Sequence, residues 1–174
     1  MKNFLLGVIC TVVVIIAGVF FIAKRGYVDF AADNPPSDME KHFAMAAVDA
    51  SVDRHAPDAK NPITPTEENL VAGAKLFRDN CAGCHGEPSN VDSPFGRSFN
   101  PPVPQFFKDA PDMPENQNFY IVQHGTRWTG MPAWKNTLTE QQMWQVVTFL
   151  SHIEKLPPAA SNVFEPAKNA GGAK

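Results

Sequence analysis

Residues 70 to 86 read LVAGAKLFRDNCAGCHG, and the fold turns on this stretch. Leu70, Gly73, Ala74 and Phe77 recur at i, i+3, i+4 and i+7, which makes one apolar face of a helix, and Gly73 lets another backbone come close to it. Thr64 is the expected cap of that helix, with Pro65 at its first position and Glu67 three residues on. The helix runs directly into CAGCH at 81 to 85. Two thiols three residues apart point to one side there, so Cys81 and Cys84 can add to the two vinyl groups along one edge of a porphyrin while His85 reaches the iron. Zinc sites and redox dithiols also use Cys-x-x-Cys. The chain has no second cysteine pair for zinc, and its other cysteine, Cys10, lies in an apolar run where it reads as a small hydrophobe. A histidine directly after the second cysteine points to one covalently attached haem c.

What the iron binds on its other side separates an electron carrier from an open haem. The segment HGTRWTGMPAW at 124 to 134 offers Met131, held in an extended loop by Gly130 and Pro132 and flanked by Trp128 and Trp134, which can seal a haem edge. A thioether is a soft donor that favours ferrous iron and blocks exogenous ligands. Met113, also followed by proline, and His124 are the rivals for the same position. Met131 lies between two expected helices. The first runs from about Glu115 to His124 and ends at Gly125; the last follows a Thr139/Gln142 capping box and extends to about Lys155, with Met143, Val146, Val147, Leu150 and Ile153 as its core stripe. Residues 86 to 114, rich in Gly, Pro, Asn and Ser, form a long irregular segment of the kind that wraps something.

Towards the N-terminus, Asn3 to Ala23 is uncharged and, at roughly 1.5 Å per helical residue, long enough to cross a hydrocarbon core of about 30 Å. It reads as an uncleaved membrane anchor over residues 1–25; the other reading, a cleaved signal peptide, lacks a small-x-small site before Lys24. Flanking charge does not orient it, because Lys2 stands on one side and Lys24 and Arg25 on the other. Residues 26–63 are expected to hold a juxtamembrane helix from a Ser37/Glu40 capping box to about Arg54, either a spacer or a docking element, and then a linker over 55–64. The compact domain is expected over 64–157. Residues 158–174, mostly Ala, Gly, Asn and Lys, read as a disordered tail. A net charge of −3 without a run of Lys or Arg argues against nucleic acid as a partner.

With Cys81, Cys84, His85 and Met131 set between a first and a last helix, residues 64 to 156 resemble the class I cytochrome c family, through LVAGAKLFRDNCAGCHG and TGMPAWKNTLTEQQMWQVVTFL. The GMPAW form is most similar to bacterial mono-haem domains that serve terminal oxidases and dehydrogenases. The resemblance implies an all-α fold, here with one N-terminal transmembrane helix, in which Gly73 and Phe77 meet Phe149 where the two helices cross. It also implies a proline carbonyl, that of Pro101 or Pro102, on the Nδ1 hydrogen of His85. Arg97, Arg127 and Trp128 are candidate donors to the haem propionates on residue type. The implied function is one-electron transfer in a bacterial respiratory or related chain, without a small-molecule substrate, by a domain on the periplasmic side of the inner membrane. Partners would be redox proteins, met by a free shuttle on about 40 residues of tether reaching on the order of 130 Å, or by a fixed subunit of a membrane oxidoreductase. A haem peroxidase or gas sensor is the enzyme-class alternative, and Met131 opposes it.

Overall fold

The computed structural model describes residues 1–165 and divides into two units, Met1–Asn34 and the chain from Pro35 onward. The first unit holds one long helix, α1 (Lys2–Lys24), followed by turns to Asn34; the side chains of α1 are all exposed, and by length and composition it can cross a membrane. In the second unit α2 spans Asp38–His55, α3 Glu67–Asn80, α4 Ala82–His85, α5 Pro94–Arg97, α6 Glu115–His124, α7 Glu140–Leu150 and α8 Pro158–Ser161. Among the described residues no strand forms; Glu87 and Asn90 make an isolated bridge. The all-α class expected from the sequence is the observed one.

Crossed helices α3 and α7 form the frame. Leu70, Ala74 and Phe77 on α3 meet Val146, Phe149 and Leu150 on α7 in a buried cluster. A Cβ added to Gly73 would lie 2.2 Å from the Gln145 carbonyl oxygen and 2.8 Å from the Phe149 Cβ, so glycine is what lets the axes close. Phe77 and Phe149 then pack with ring centroids 5.2 Å apart. The N-cap of α3 is Thr66, whose side chain accepts from the Asn69 amide at 3.3 Å, two residues later than expected; Thr64 instead gives its carbonyl to the Asn69 side chain. The Thr139/Gln142 capping box on α7 forms as expected, although the α-helix stops at Leu150 and a separate 3₁₀ turn covers Ile153–Lys155. A second cluster joins α6 to α7: Phe119 stacks on Trp144 at 3.9 Å, with Val122, Met143 and Val147, and Ile63, Met131, Trp134 and Leu138 pack around it.

Two expectations are corrected by these contacts. Residues 55 to 64 are not a loose linker. Val52 of α2 is buried, Gln117 donates to Asp53 at 2.7 Å, Asn116 donates to the Pro57 carbonyl at 3.0 Å, and Asn61 donates to the Thr148 hydroxyl at 2.9 Å. The expected boundary at Thr64 therefore falls inside the second unit, because polar side chains of α6 and α7 satisfy the backbone and amides of the preceding segment.

Nor is the stretch after Pro157 disordered where it is described. Pro158 stands in the first turn of α8, where a missing N–H costs nothing, Ala160 is fully buried, and Phe164 enters an aromatic cluster with Phe107 (5.3 Å), Phe149 (5.9 Å) and Phe77 (6.4 Å). Arg78 holds the strap down with a 3.0 Å bond to the Val163 carbonyl. The rest of the expected tail, 166–174, lies outside the described residues. Phe164→Ala is expected to cost about 2–3 kcal/mol, lowering the thermal midpoint of the haem-loaded protein by on the order of 10 °C; a melting curve identical to wild type would remove the strap from the core.

Candidate haem site

Helix α3 ends at Cys81, which also caps the single turn α4, so the two thiols and His85 share one compact turn. Burial, reinforced by the charge of Cys84, pushes the Cys81 thiol up to about 12, which keeps it protonated as a thiol. His85 is pushed below its ordinary value, chiefly by burial, with the Pro104 hydrogen bond acting in the opposite sense. A carbonyl oxygen can only accept, so the 2.9 Å contact between the His85 Nδ1 and the Pro104 oxygen places the proton on Nδ1. The Nε2 lone pair is left available to a metal.

That carbonyl corrects the expectation for Pro101 or Pro102. Both of those prolines are exposed, and the chain only turns back to the Cys-x-x-Cys-His turn at Val103, whose amide bonds the Gly96 carbonyl at 3.0 Å. Pro104, Gln105 and Phe106 then pass along the turn. Gln105 donates to the Cys84 carbonyl at 2.9 Å, and the Phe106 ring lies on the His85 imidazole, centroids 4.5 Å apart and planes within 5°. The irregular segment thus wraps the haem-bearing turn, with α5 capped by Ser93, whose hydroxyl also bonds the Gly83 carbonyl at 2.6 Å.

Met131 sits half-buried in the loop after α6, against the Phe119/Trp144 cluster. Its amide donates to the Thr129 hydroxyl at 3.1 Å and its carbonyl accepts from the Thr126 amide at 3.2 Å. Gly125 adopts φ +66, and a Cβ there would lie 2.5 Å from the Met131 carbonyl oxygen, so the turn that brings Met131 inward requires glycine. Met113 is half-buried ahead of α6, its carbonyl accepting from the Asn118 side chain, and His124 is exposed with its ring against Tyr120.

The three expected propionate donors are all exposed. Arg97 makes two hydrogen bonds to Asp92, Arg127 is exposed, and Trp128 is 90% exposed in a left-handed conformation (φ +60) that few non-glycine residues adopt. Trp134 offers a donor in the interior. The indole nitrogen of Trp134 is, among the described residues, the buried side-chain polar atom without a hydrogen-bond partner, and it packs in the same cluster as Met131. An orphaned buried donor costs about 1–3 kcal/mol, so an acceptor brought by a bound group suits it. With two thiols, a correctly protonated imidazole and this donor, the residues fit a covalently bound haem.

A helical frame closed at a glycine, carrying Cys-x-x-Cys-His on a turn at its edge, defines a class I c-type cytochrome, and the chain belongs to that family. Residues 68–150 match the family described as cytochrome c oxidase, cbb3-type, subunit III. Cytochrome c6 from Parathermosynechococcus lividus is 33% identical over 82 residues, 47% of this chain and 87% of the relative. Cytochrome c6 from Synechococcus elongatus matches to the same extent, and that from Thermosynechococcus vestitus is matched over 68% of its length. As a c-type cytochrome the protein carries covalent haem c, with Cys81, Cys84 and His85 fitting the attachment motif, and belongs to a family of electron carriers.

Proposed function

We propose that this cytochrome is a membrane-anchored one-electron carrier in which Cys81 and Cys84 hold the haem, His85 binds the iron on one face and Met131 on the other. The observation that carries the reading is the Nδ1 hydrogen bond from His85 to Pro104, which fixes the tautomer a metal-binding imidazole needs. Haem c supplies a metal that alternates between ferrous and ferric states. The chain's own work is to orient the two ligands, exclude water with the Phe119/Trp144 cluster, and present a docking face. In this reading α1 stays in the inner membrane and the second unit works in the periplasm, where c-type haem is attached.

The packing of α2 and residues 56–63 favours a fixed or closely held subunit over a far-ranging shuttle. With that segment part of the second unit, the connection from α1 is confined to the dozen or so residues between Lys24 and Ser37, which span at most about 45 Å. The likeness to a subunit of a cbb3-type oxidase agrees with such a place, and seven basic against ten acidic residues over 66–156 leave docking to weak electrostatics. Mild detergent extraction is expected to bring the protein out with a membrane oxidoreductase. Recovery as a lone monomer would sink the subunit reading. Independently, rapid carbon monoxide binding by the ferrous wild type would overturn Met131 as ligand and reopen the peroxidase or sensor alternative.

A further inference from the structure

The segment Pro104 to Phe106 holds His85 at three points: the Pro104 oxygen on Nδ1 at 2.9 Å, the Phe106 amide on the His85 carbonyl at 3.1 Å, and the Phe106 ring stacked on the imidazole. Neither end of this clamp is deeply buried. Pro104 is exposed and Phe106 half-buried, so packing alone does not fix them. Gln105, between them, faces the other way and is 8% exposed. Its amide is engaged on both sides: Oε1 accepts from the Ser93 amide at 2.7 Å, and Nε2 donates to the carbonyls of Cys84 at 2.9 Å and Val103 at 2.8 Å. Two glycines make room for it. A Cβ on Gly96 would lie 2.9 Å from Nε2, and one on Gly86 would lie 3.1 Å from Oε1.

We propose that Gln105 is the positioning residue that holds the Pro104 carbonyl on His85 and thereby sets the haem reduction potential. The inference rests on His85 being the iron ligand. A carbonyl on the distal nitrogen of a ligating imidazole raises the basicity of the other nitrogen, and a more electron-rich ligand favours ferric iron. Gln105 acts one residue away from that bond. It ties the Pro104 peptide to the carbonyl of Cys84, the residue directly before His85, so the donor and acceptor of the Nδ1 bond are fastened to each other through a buried amide. Were the amide lost, the Pro104 carbonyl would drift, the bond would lengthen, and the potential would rise.

Gln105→Met in the full-length, haem-loaded protein keeps the side-chain bulk and removes every polar contact of the side chain. The midpoint potential is expected to rise, and the His85 Nδ1 proton to exchange about tenfold faster, roughly the protection one hydrogen bond gives. Retention of the sulfur-to-iron charge-transfer band in variant and wild type shows the ligands in place, so an unchanged potential with unchanged exchange would count against Gln105 alone. Thr148→Val serves as the structural control: it removes buried hydroxyl bonds to Asn61 and Trp144 far from His85 in the chain and should lower the melting temperature without moving the potential. An equal rise in that variant would overturn the proposal. If Gln105→Met does not accumulate, wild-type exchange decides: Gln105 side-chain protons as slow as the His85 Nδ1 proton support the clamp, and Gln105 protons about a hundredfold faster overturn it.

Discussion

In Met131→Ala the ferric protein is expected to lose its sulfur-to-iron charge-transfer absorption, the ferrous protein to bind carbon monoxide, and the midpoint potential to fall by a quarter or more of the roughly 0.8 V that axial ligation spans. All three follow from the same change at the metal. A thioether is a neutral, polarisable donor that stabilises ferrous iron; water or hydroxide in its place favours ferric iron and exchanges readily. The fold should survive, because Met131 packs against the edge of the Phe119/Trp144 cluster and its loop is held by main-chain and threonine contacts that alanine retains. Parallel substitutions separate the rivals. Met113→Ala and His124→Ala should leave spectrum and potential unchanged, since Met131, and not Met113, packs against the Phe119/Trp144 cluster and His124 is exposed. A charge-transfer band that persists in Met131→Ala and vanishes in Met113→Ala would reassign the ligand.

Periodic features were readable from the sequence and irregular ones were not, for physical reasons. The α3 face, the α6 boundaries and the α7 capping box follow from local rules: side chains at i, i+3 and i+4 share a face, and caps satisfy amides within three residues. The proline on His85 was misassigned because several prolines in 101 to 104 have the same carbonyl, and only the tertiary path, returning at Val103, selects Pro104. A signal was present in PVPQFF. A lone amide among Val, Pro and Phe residues marks a buried polar group that needs partners, and Gln105 has them. Residues 158–165 were misread because composition outweighed two residues, Val163 and Phe164, that have an aromatic surface to cover. Likewise, the partners of Asp53 and Asn61 lie on α6 and α7, too far along the chain for a local reading of 55–64 to foresee.

Gly73→Ala tests the helix crossing directly. Alanine normally strengthens a helix over glycine by about 1 kcal/mol, so Gly73→Ala would stabilise an isolated α3. In the folded protein the sign should reverse, with a loss of about 3 kcal/mol and a thermal midpoint lower by on the order of 10 °C. The reason lies in which atoms the new methyl meets. Its closest neighbour, at 2.2 Å, is the carbonyl oxygen of Gln145, a main-chain atom inside α7 that has no rotamer through which to withdraw. Relief requires the helices to part, and parting loosens Phe77 against Phe149 and the fully buried Ala74 and Val147 along with them. The same Phe77 ring borders His85, so the loss should also appear as reduced yield of haem-loaded protein. Trimming Phe149 to alanine in the same chain keeps the Cβ that the new methyl meets at 2.8 Å and leaves the Gln145 oxygen where it is, so the double variant should be less stable than either single one. A Gly73→Ala protein that melts at or above the wild-type temperature would show that α3 and α7 do not close on this glycine, and the placement of the Cys81–His85 turn at the end of α3 would then need another support.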